Sequence, residues 1–253
     1  EPTWTGLAKG LLVLGVLWWS WVGYSWLTSV VDPEEGLVRF AIFGAMAALL
    51  VVALCVPEAF GDLGLLFACA YFVVRIGQVV LLYSAGRGDP NLRRSVTGLA
   101  VGTLIGTSIL IVASFTDGVL QGCLWALALS LDVSEPYLFG SEGWKLAPRH
   151  FVERHGLIII IALGESIVAI GVGAAGVPLD AATITAATLG IVVAAALWWC
   201  YFDWLIYVSQ ARLTDATGAE RADLARDLYS YLHMPMVAGI VLFALGMERT
   251  LGH

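Results

Sequence analysis

The chain consists of long apolar blocks joined by short polar connections. Since a helix needs about 20 mainly apolar residues to cross a bilayer, these blocks predict eight membrane-spanning helices, A to H. Helix E is short for a span and is expected to be tilted, re-entrant or longer than its apolar block. The pattern predicts an all-α, polytopic helix bundle formed by a single transmembrane domain over residues 1–253, with helices near 7–29, 38–57, 62–85, 96–115, 118–132, 150–173, 183–209 and 229–250.

Composition supports a membrane protein and excludes other classes. Hydrophobic residues make up 59% of the chain and charged residues 13%, and the mean hydropathy is +0.86. Soluble domains carry about 25% charged residues. The net charge of -7 argues against binding of nucleic acid, which requires a basic surface. The lipid bilayer is therefore the expected partner.

Lys and Arg predict the orientation, because they are enriched in cytoplasmic loops. Ten of them fall at the ends of helices that face one side, two fall on the other side, and Arg75 lies inside helix C. The bias predicts a multi-pass protein of the bacterial inner membrane with residue 1 outside. The ten are Arg39, Arg87, Arg93, Arg94, Lys145, Arg149, Arg154, Arg212, Arg221 and Arg226.

Two helices carry a similar aromatic segment, LWWSW at 17–21 and LWWCY at 197–201. One interpretation is an aromatic belt at the membrane interface. The other is a parallel repeat within a larger protein, as in transporters built from two like-oriented halves. The repeat, together with a predicted external first residue that is Glu and not Met, predicts that the chain is truncated at both ends.

The strongest chemical signal is Glu165, an acid inside the apolar run of helix F. It lies nine residues beyond Gly156, about 14 Å along a helix, and therefore near mid-membrane. Arg75 of helix C has a matching depth and is the predicted partner. Such a pair would either form part of a solute or proton pathway or simply lock two helices together.

A second group of polar residues is predicted near the cytoplasmic end of the bundle. Histidines and carboxylates at successive depths suit proton transfer, although snorkelling and interfacial anchoring also explain them. The residues are Glu153, Arg154 and His155 of helix F, Asp203 of helix G and His233 of helix H.

Known site motifs give no catalytic assignment. HFVERH at 150–155 resembles a zinc motif, but Arg154 replaces the second histidine, and His150 and His155 lie about 140° apart around a helix. We therefore expect neither a metal nor a cofactor. Gly102 and Gly106 form a G-x-x-x-G pair, which predicts close helix packing.

Several segments are similar to the bacterial low temperature requirement protein A family. They are WWSWVGYSW at 18–26, PEAFGD at 57–62, AYFVVR at 70–75, HFVERHGLIIIIALGES at 150–166, LWWCYFDW at 197–204 and GIVLFALG at 239–246. The resemblance implies a longer polytopic protein with a helix before this region and more helices after it. It implies no biochemical activity. Glu153, Arg154, Gly164 and Glu165 match the family signature, which assigns them no role.

Transport coupled to a proton or a small solute is the function that these features favour, with Glu165 and Arg75 at its centre. One alternative is a membrane-embedded enzyme acting on a lipid or isoprenoid substrate, with the same acids as general acid or base. The other is a structural subunit whose polar residues only hold helices together. The catalytic residues, the solute and the oligomeric state are not predicted.

Overall fold

A computed structural model describes residues 3–139 and 144–252, and these residues form helices joined by short turns. Residue 1, for which an external position is predicted, lies outside the described residues. The α-helices are α1 (Trp4–Val30), α2 (Gly36–Cys55), α3 (Gly64–Ala85), α4 (Pro90–Ala113), α5 (Gly118–Phe139), α6 (Pro148–Ala174), α7 (Ala181–Cys200), α8 (Ile206–Asp215), α9 (Gly218–Ala225) and α10 (His233–Leu251).

Seven helical stretches among the described residues are long and apolar enough to cross a membrane. This confirms the predicted all-α, multi-pass membrane protein. The seven are Trp4–Val30, Gly36–Glu58, Gly64–Gly88, Pro90–Ala113, Pro148–Ala174, Ala181–Asp215 and Gly218–Leu251. Helix α5 corresponds to the predicted span E and is not among the seven. It carries two acidic residues, Asp132 and Glu135.

The predicted end of helix E at residue 132 is too early, because α5 continues to Phe139. Asp132 lies at the predicted end of helix E and Glu135 lies beyond it, and both side chains are buried. Pro136 also lies within this helix.

Side-chain caps begin helices α1, α4 and α7. Asp89 accepts hydrogen bonds from the backbone N–H groups of Asn91 and Leu92 at the start of α4, and Thr3 accepts one from Gly6. Asp180 accepts one from the N–H of Thr183 over 2.8 Å, and this bond lowers the pKa of Asp180. The caps satisfy backbone donors that have no partner within the helix.

The chain divides into two compact units, residues 1–146 and 147–253. In the first unit α3 packs against α1, α2 and α4, while α5 packs against α1 and α4. Its apolar core includes Phe67, Leu110 and Trp125. The Trp125 ring stacks on Phe60, with 4.4 Å between ring centroids, and is tilted against Phe67 at 5.1 Å.

In the second unit α6 packs along α10 and also contacts α7 and α8. The two helices α6 and α10 lie close together at Gly173, where an added Cβ atom would lie 2.6 Å from the carbonyl oxygen of Glu248. Only a residue without a side chain fits this contact.

The two similar aromatic segments lie in different surroundings. Trp18 and Trp19 of α1 are 4% and 5% exposed within the first unit. Trp198 and Trp199 of α7 are 46% and 61% exposed. The shared sequence pattern therefore does not correspond to shared packing in this chain, and the parallel repeat stays a prediction.

Candidate functional site

Arg75 is buried among the helices of the first unit beside two acids. Its side chain is 1% exposed, and its Nη2 atom lies 3.6 Å from Asp132 Oδ1 and 3.7 Å from Glu135 Oε2. The acids are one helical turn apart on α5, which places both on the same side of that helix. We call Arg75, Asp132 and Glu135 the charged cluster.

Neutral polar groups also contact the guanidinium group of Arg75. Arg75 Nη1 donates a hydrogen bond to Gln78 Oε1 over 3.1 Å, and Nη2 donates to Thr103 Oγ1 over 3.2 Å. Gln78 and Thr103 are themselves buried. These contacts come from α3 and α4, so three helices of the first unit meet at Arg75.

The two acids differ in their hydrogen bonds. The Tyr71 hydroxyl lies 3.3 Å from Asp132 Oδ2, and also 3.3 Å from the carbonyl oxygen of Val16. Asp132 therefore has a hydroxyl donor within reach. Neither carboxyl oxygen of Glu135 accepts a hydrogen bond from any residue that the structure describes. Glu135 is the less firmly held acid of the pair.

Two glycines of α4 provide the space for these acids. A Cβ atom on Gly102 would lie 1.7 Å from Glu135 Oε1, and one on Gly106 would lie 2.9 Å from Asp132 Oδ1. The G-x-x-x-G pair thus does bring α4 and α5 close together, as predicted. Its further effect, which the sequence did not indicate, is to accommodate two carboxyl groups.

Glu165 lies on an exposed side of α6, next to a buried stripe formed by Ala162, Ser166 and Ala169. The acidic partners of Arg75 in its own unit are Asp132 and Glu135. Neither acid is predicted from the sequence. The pairing of Glu165 with Arg75 stays a prediction.

The residues at the start of α6 separate into an exposed group and a buried one. Glu153 is exposed and forms ion pairs with Arg149 over 3.0 Å and with His150 over 3.4 Å, while Arg154 is half-buried. His155 is fully buried. The different surroundings of His150 and His155 agree with the predicted angle between them.

A second buried polar group lies inside the second unit. It consists of His155, Tyr201, Tyr229 and His233, which we call the histidine–tyrosine cluster. The rings of His155 and His233 are 5.2 Å apart, and Tyr229 stacks on His233 with centroids 4.9 Å apart. The structure thus brings together two predicted residues, His155 and His233, whereas Asp203 is exposed.

Backbone carbonyls fix the tautomer of both histidines. His155 Nδ1 lies 2.8 Å from the carbonyl oxygen of Phe151, and His233 Nδ1 lies 2.8 Å from that of Leu228. A carbonyl oxygen only accepts, so each Nδ1 carries the proton and each Nε2 is the basic nitrogen. The Tyr201 hydroxyl accordingly donates to His233 Nε2 over 2.9 Å.

Two π-helical segments position the tyrosines. Tyr201 begins the segment Tyr201–Leu205, and Tyr229 lies in Arg226–Tyr231. A π turn contains an extra residue and therefore rotates the side chains that follow it, which is common at functional sites. The Tyr229 hydroxyl donates to Ser209 Oγ over 2.9 Å.

Replacing Tyr201 by Phe should destabilise the second unit by about 1–3 kcal/mol, because buried His233 Nε2 loses its hydrogen-bond donor. Thermal unfolding of the purified protein in detergent measures this effect. Tyr207→Phe is the matched control, since Tyr207 is 66% exposed and close by in the chain. Equal stability of the two variants would contradict the assigned hydrogen bond.

An apolar groove of about 710 Å³ lies beside the histidine–tyrosine cluster. Its lining includes Ile159 of α6, Tyr201 and Trp204 of the π-helical segment, and Pro235 and Ile240 of α10. Tyr201 therefore connects the groove with His233.

The fold and these two polar clusters define a polytopic α-helical membrane protein with ionisable groups in its interior. Over residues 1–253 the chain matches the model of a family described as bacterial low temperature requirement A protein (LtrA). The chain belongs to this family.

A relative in Rhizobium meliloti (strain 1021), described as an uncharacterized protein, is 30% identical over 258 residues. The match covers 97% of this chain and 62% of the relative, so the chain spans about three fifths of that protein's length. No solved structure matches the chain.

Proposed function

We propose that this chain is the cation-binding part of a proton-coupled or cation-coupled transporter in the bacterial inner membrane, with residue 1 outside. The observation that carries the proposal is the charged cluster, in which one guanidinium group and two carboxyl groups are buried together between helices of a membrane protein. Ionisable groups at such positions are costly and mark ion pathways in pumps and transporters.

The number of charges in the cluster favours binding of a cation. With both acids ionised, Arg75 neutralises only one of them, and the cluster carries one uncompensated negative charge. A buried unpaired charge costs several kcal/mol, so the cluster is more stable with one bound cation. A site that gains and loses one positive charge suits coupling to an ion gradient.

Glu165 has a place in this proposal as a second acid at about mid-membrane depth. Its exposed position on α6 makes it available to a solute. His155 and His233 add groups capable of proton transfer in the second unit. Glu165 and the two histidines retain the roles expected from the sequence, and Glu165 is tested separately below.

Reconstitution of the full-length protein into liposomes tests the proposal. A pH gradient is imposed, and uptake from a mixture of small metabolites is followed by mass spectrometry. We expect at least one solute to accumulate with the gradient, and Asp132→Asn and Glu135→Gln each to reduce that uptake at least tenfold. Uptake by the Glu165→Gln variant determines whether this exposed acid contributes to transport.

Glu220→Gln is the control, because Glu220 is exposed on the short helix α9. It should leave uptake unchanged. Absence of gradient-dependent uptake in the unmodified protein, with folding verified, would exclude the transport proposal.

A membrane-embedded enzyme acting on a lipid or isoprenoid is the second candidate, and the apolar groove favours it. Tyr201 lines the groove and its hydroxyl donates a hydrogen bond to His233, so the two residues would supply a proton donor and acceptor beside the groove. The transport assay separates the two candidates, since such an enzyme moves no solute across the liposome membrane.

A further inference from the structure

We infer that the cation taken up by the charged cluster is a proton, that Glu135 carries it, and that Asp132 remains the ionised partner of Arg75. The role in coupling rests on the proposed function, whereas the position of the proton can be measured without any transport. Four observations support the assignment.

The first is charge balance in a closed environment. The side chain of Arg75 is 1% exposed, that of Asp132 is 5% exposed and that of Glu135 is 4% exposed. Water does not stabilise an excess charge at this degree of burial. The positive charge of the guanidinium group balances one carboxylate. The cluster as a whole is therefore neutral when the other carboxyl group carries a proton.

The second is the difference between the acids. Asp132 has the Tyr71 hydroxyl within 3.3 Å in addition to Arg75, and a donated hydrogen bond stabilises an ionised carboxylate. Glu135 accepts no hydrogen bond from the described residues, while the two acids lie at nearly the same distance from Arg75, 3.6 Å for Asp132 and 3.7 Å for Glu135. Being protonated therefore costs Glu135 less than it costs Asp132.

The third is the identity of the groups around Glu135. Helix α3 contributes Arg75 and Tyr71, and α5 contributes Asp132. Helix α4 contributes Thr103, whose hydroxyl group is neutral. From α1, the Tyr24 hydroxyl donates to the carbonyl oxygen of Val74 over 2.9 Å. Arg75 is thus the sole cation in this set, and Asp132 already balances it.

The fourth is the shortage of space for a metal ion. Glu135 Oε1 occupies the gap left by Gly102, where an added Cβ atom would lie 1.7 Å away. Hard cations such as Ca²⁺ need about six to eight oxygen ligands around them. The nearby oxygens of Asp132 and Thr103 are already in contact with Arg75, whereas a proton requires no additional ligands.

Infrared spectroscopy of the full-length protein in lipid at neutral pH tests the inference. The carboxylic acid C=O stretching band is recorded with ¹³C in the side-chain carboxyl group of either glutamate or aspartate. We expect a carboxylic acid band that shifts with labelled glutamate and disappears in Glu135→Gln. It should persist in Glu165→Gln, and it should be the same in sodium chloride and choline chloride.

Each alternative result overturns the assignment in a recognisable way. A band that shifts with labelled aspartate would make Asp132 the proton carrier. A carboxylic acid band that sodium abolishes would indicate a metal cation. A carboxylic acid band unchanged by Glu135→Gln would show that Glu135 is ionised. The isotope labels need no substitution, so they remain informative if a variant fails to fold.

The two proposals can fail independently. A protein that shows the Glu135 band but moves no solute would retain the proton site and lose the transport function. A protein that transports without this band would retain transport and lose the assignment to Glu135.

Discussion

Replacement of Arg75 by Met should destabilise the first unit by about 3–5 kcal/mol, the cost of removing one partner from a buried ion pair. Methionine has a length and apolar volume that suit the site, so the loss comes mainly from the uncompensated carboxylate of Asp132. The loss of hydrogen bonds to Gln78 and Thr103 adds to it. Thermal and denaturant unfolding of the purified protein in detergent measures the change.

A charge-neutral double variant distinguishes electrostatics from packing. Arg75→Met combined with Asp132→Asn removes both members of the pair and should recover most of the lost stability, because no buried charge then remains if Glu135 is protonated. Arg94→Met is the surface control, since Arg94 is exposed near the start of α4. If Arg75→Met unfolded at the same temperature as the unmodified protein, the ion pair would have no structural role.

Replacement of Gly173 by Ala should destabilise the second unit by about 1–3 kcal/mol through overpacking. The added Cβ atom would lie 2.6 Å from the carbonyl oxygen of Glu248 and 2.8 Å from its Cα atom. Both atoms belong to the backbone of α10, so no side-chain rotation relieves the contact. The helices must separate, and thermal unfolding in detergent should show the loss.

Gly171→Ala is the matched control, because Gly171 lies two residues away on the same helix and has no atom within 4 Å of an added Cβ. Alanine has the higher helix propensity, so this variant should be neutral or more stable by about 0.5–1 kcal/mol. Equal destabilisation by both substitutions would contradict a specific effect of the contact between α6 and α10 at Gly173, because helix propensity favours alanine at both positions.

The apolar blocks predicted the helices well, because burial of backbone polar groups in lipid leaves few alternatives to a helix. Helix E is predicted near 118–132, whereas α5 continues to Phe139. Asp132 and Glu135 lie in this last part of the helix, buried beside Arg75 of α3. A sequence pattern within one helix does not contain the partner from another helix.

The candidate site was predicted in part. Arg75 was recognised as a charge inside a span, and His155 and His233 were both named before the structure placed their rings 5.2 Å apart. Tyr201 and Tyr229 were missed, because an ideal helical spacing does not include the extra residue of a π turn. The spacing of Asp132 and Glu135 by one turn was a signal that could have found the acidic pair.

By itself the sequence determined that this chain is an all-α membrane protein, that its segments resemble the LtrA family, and how far along their helices Arg75 and Glu165 lie. The fold class and the depths follow from composition, apolar length and the rise of a helix per residue, whereas the family resemblance follows from particular motifs. Only the tertiary structure decided which acids accompany Arg75 and which side of α6 bears Glu165. Rotation about a helix axis and the choice of neighbouring helices depend on packing between distant segments, as at Gly102, where one missing side chain accommodates Glu135.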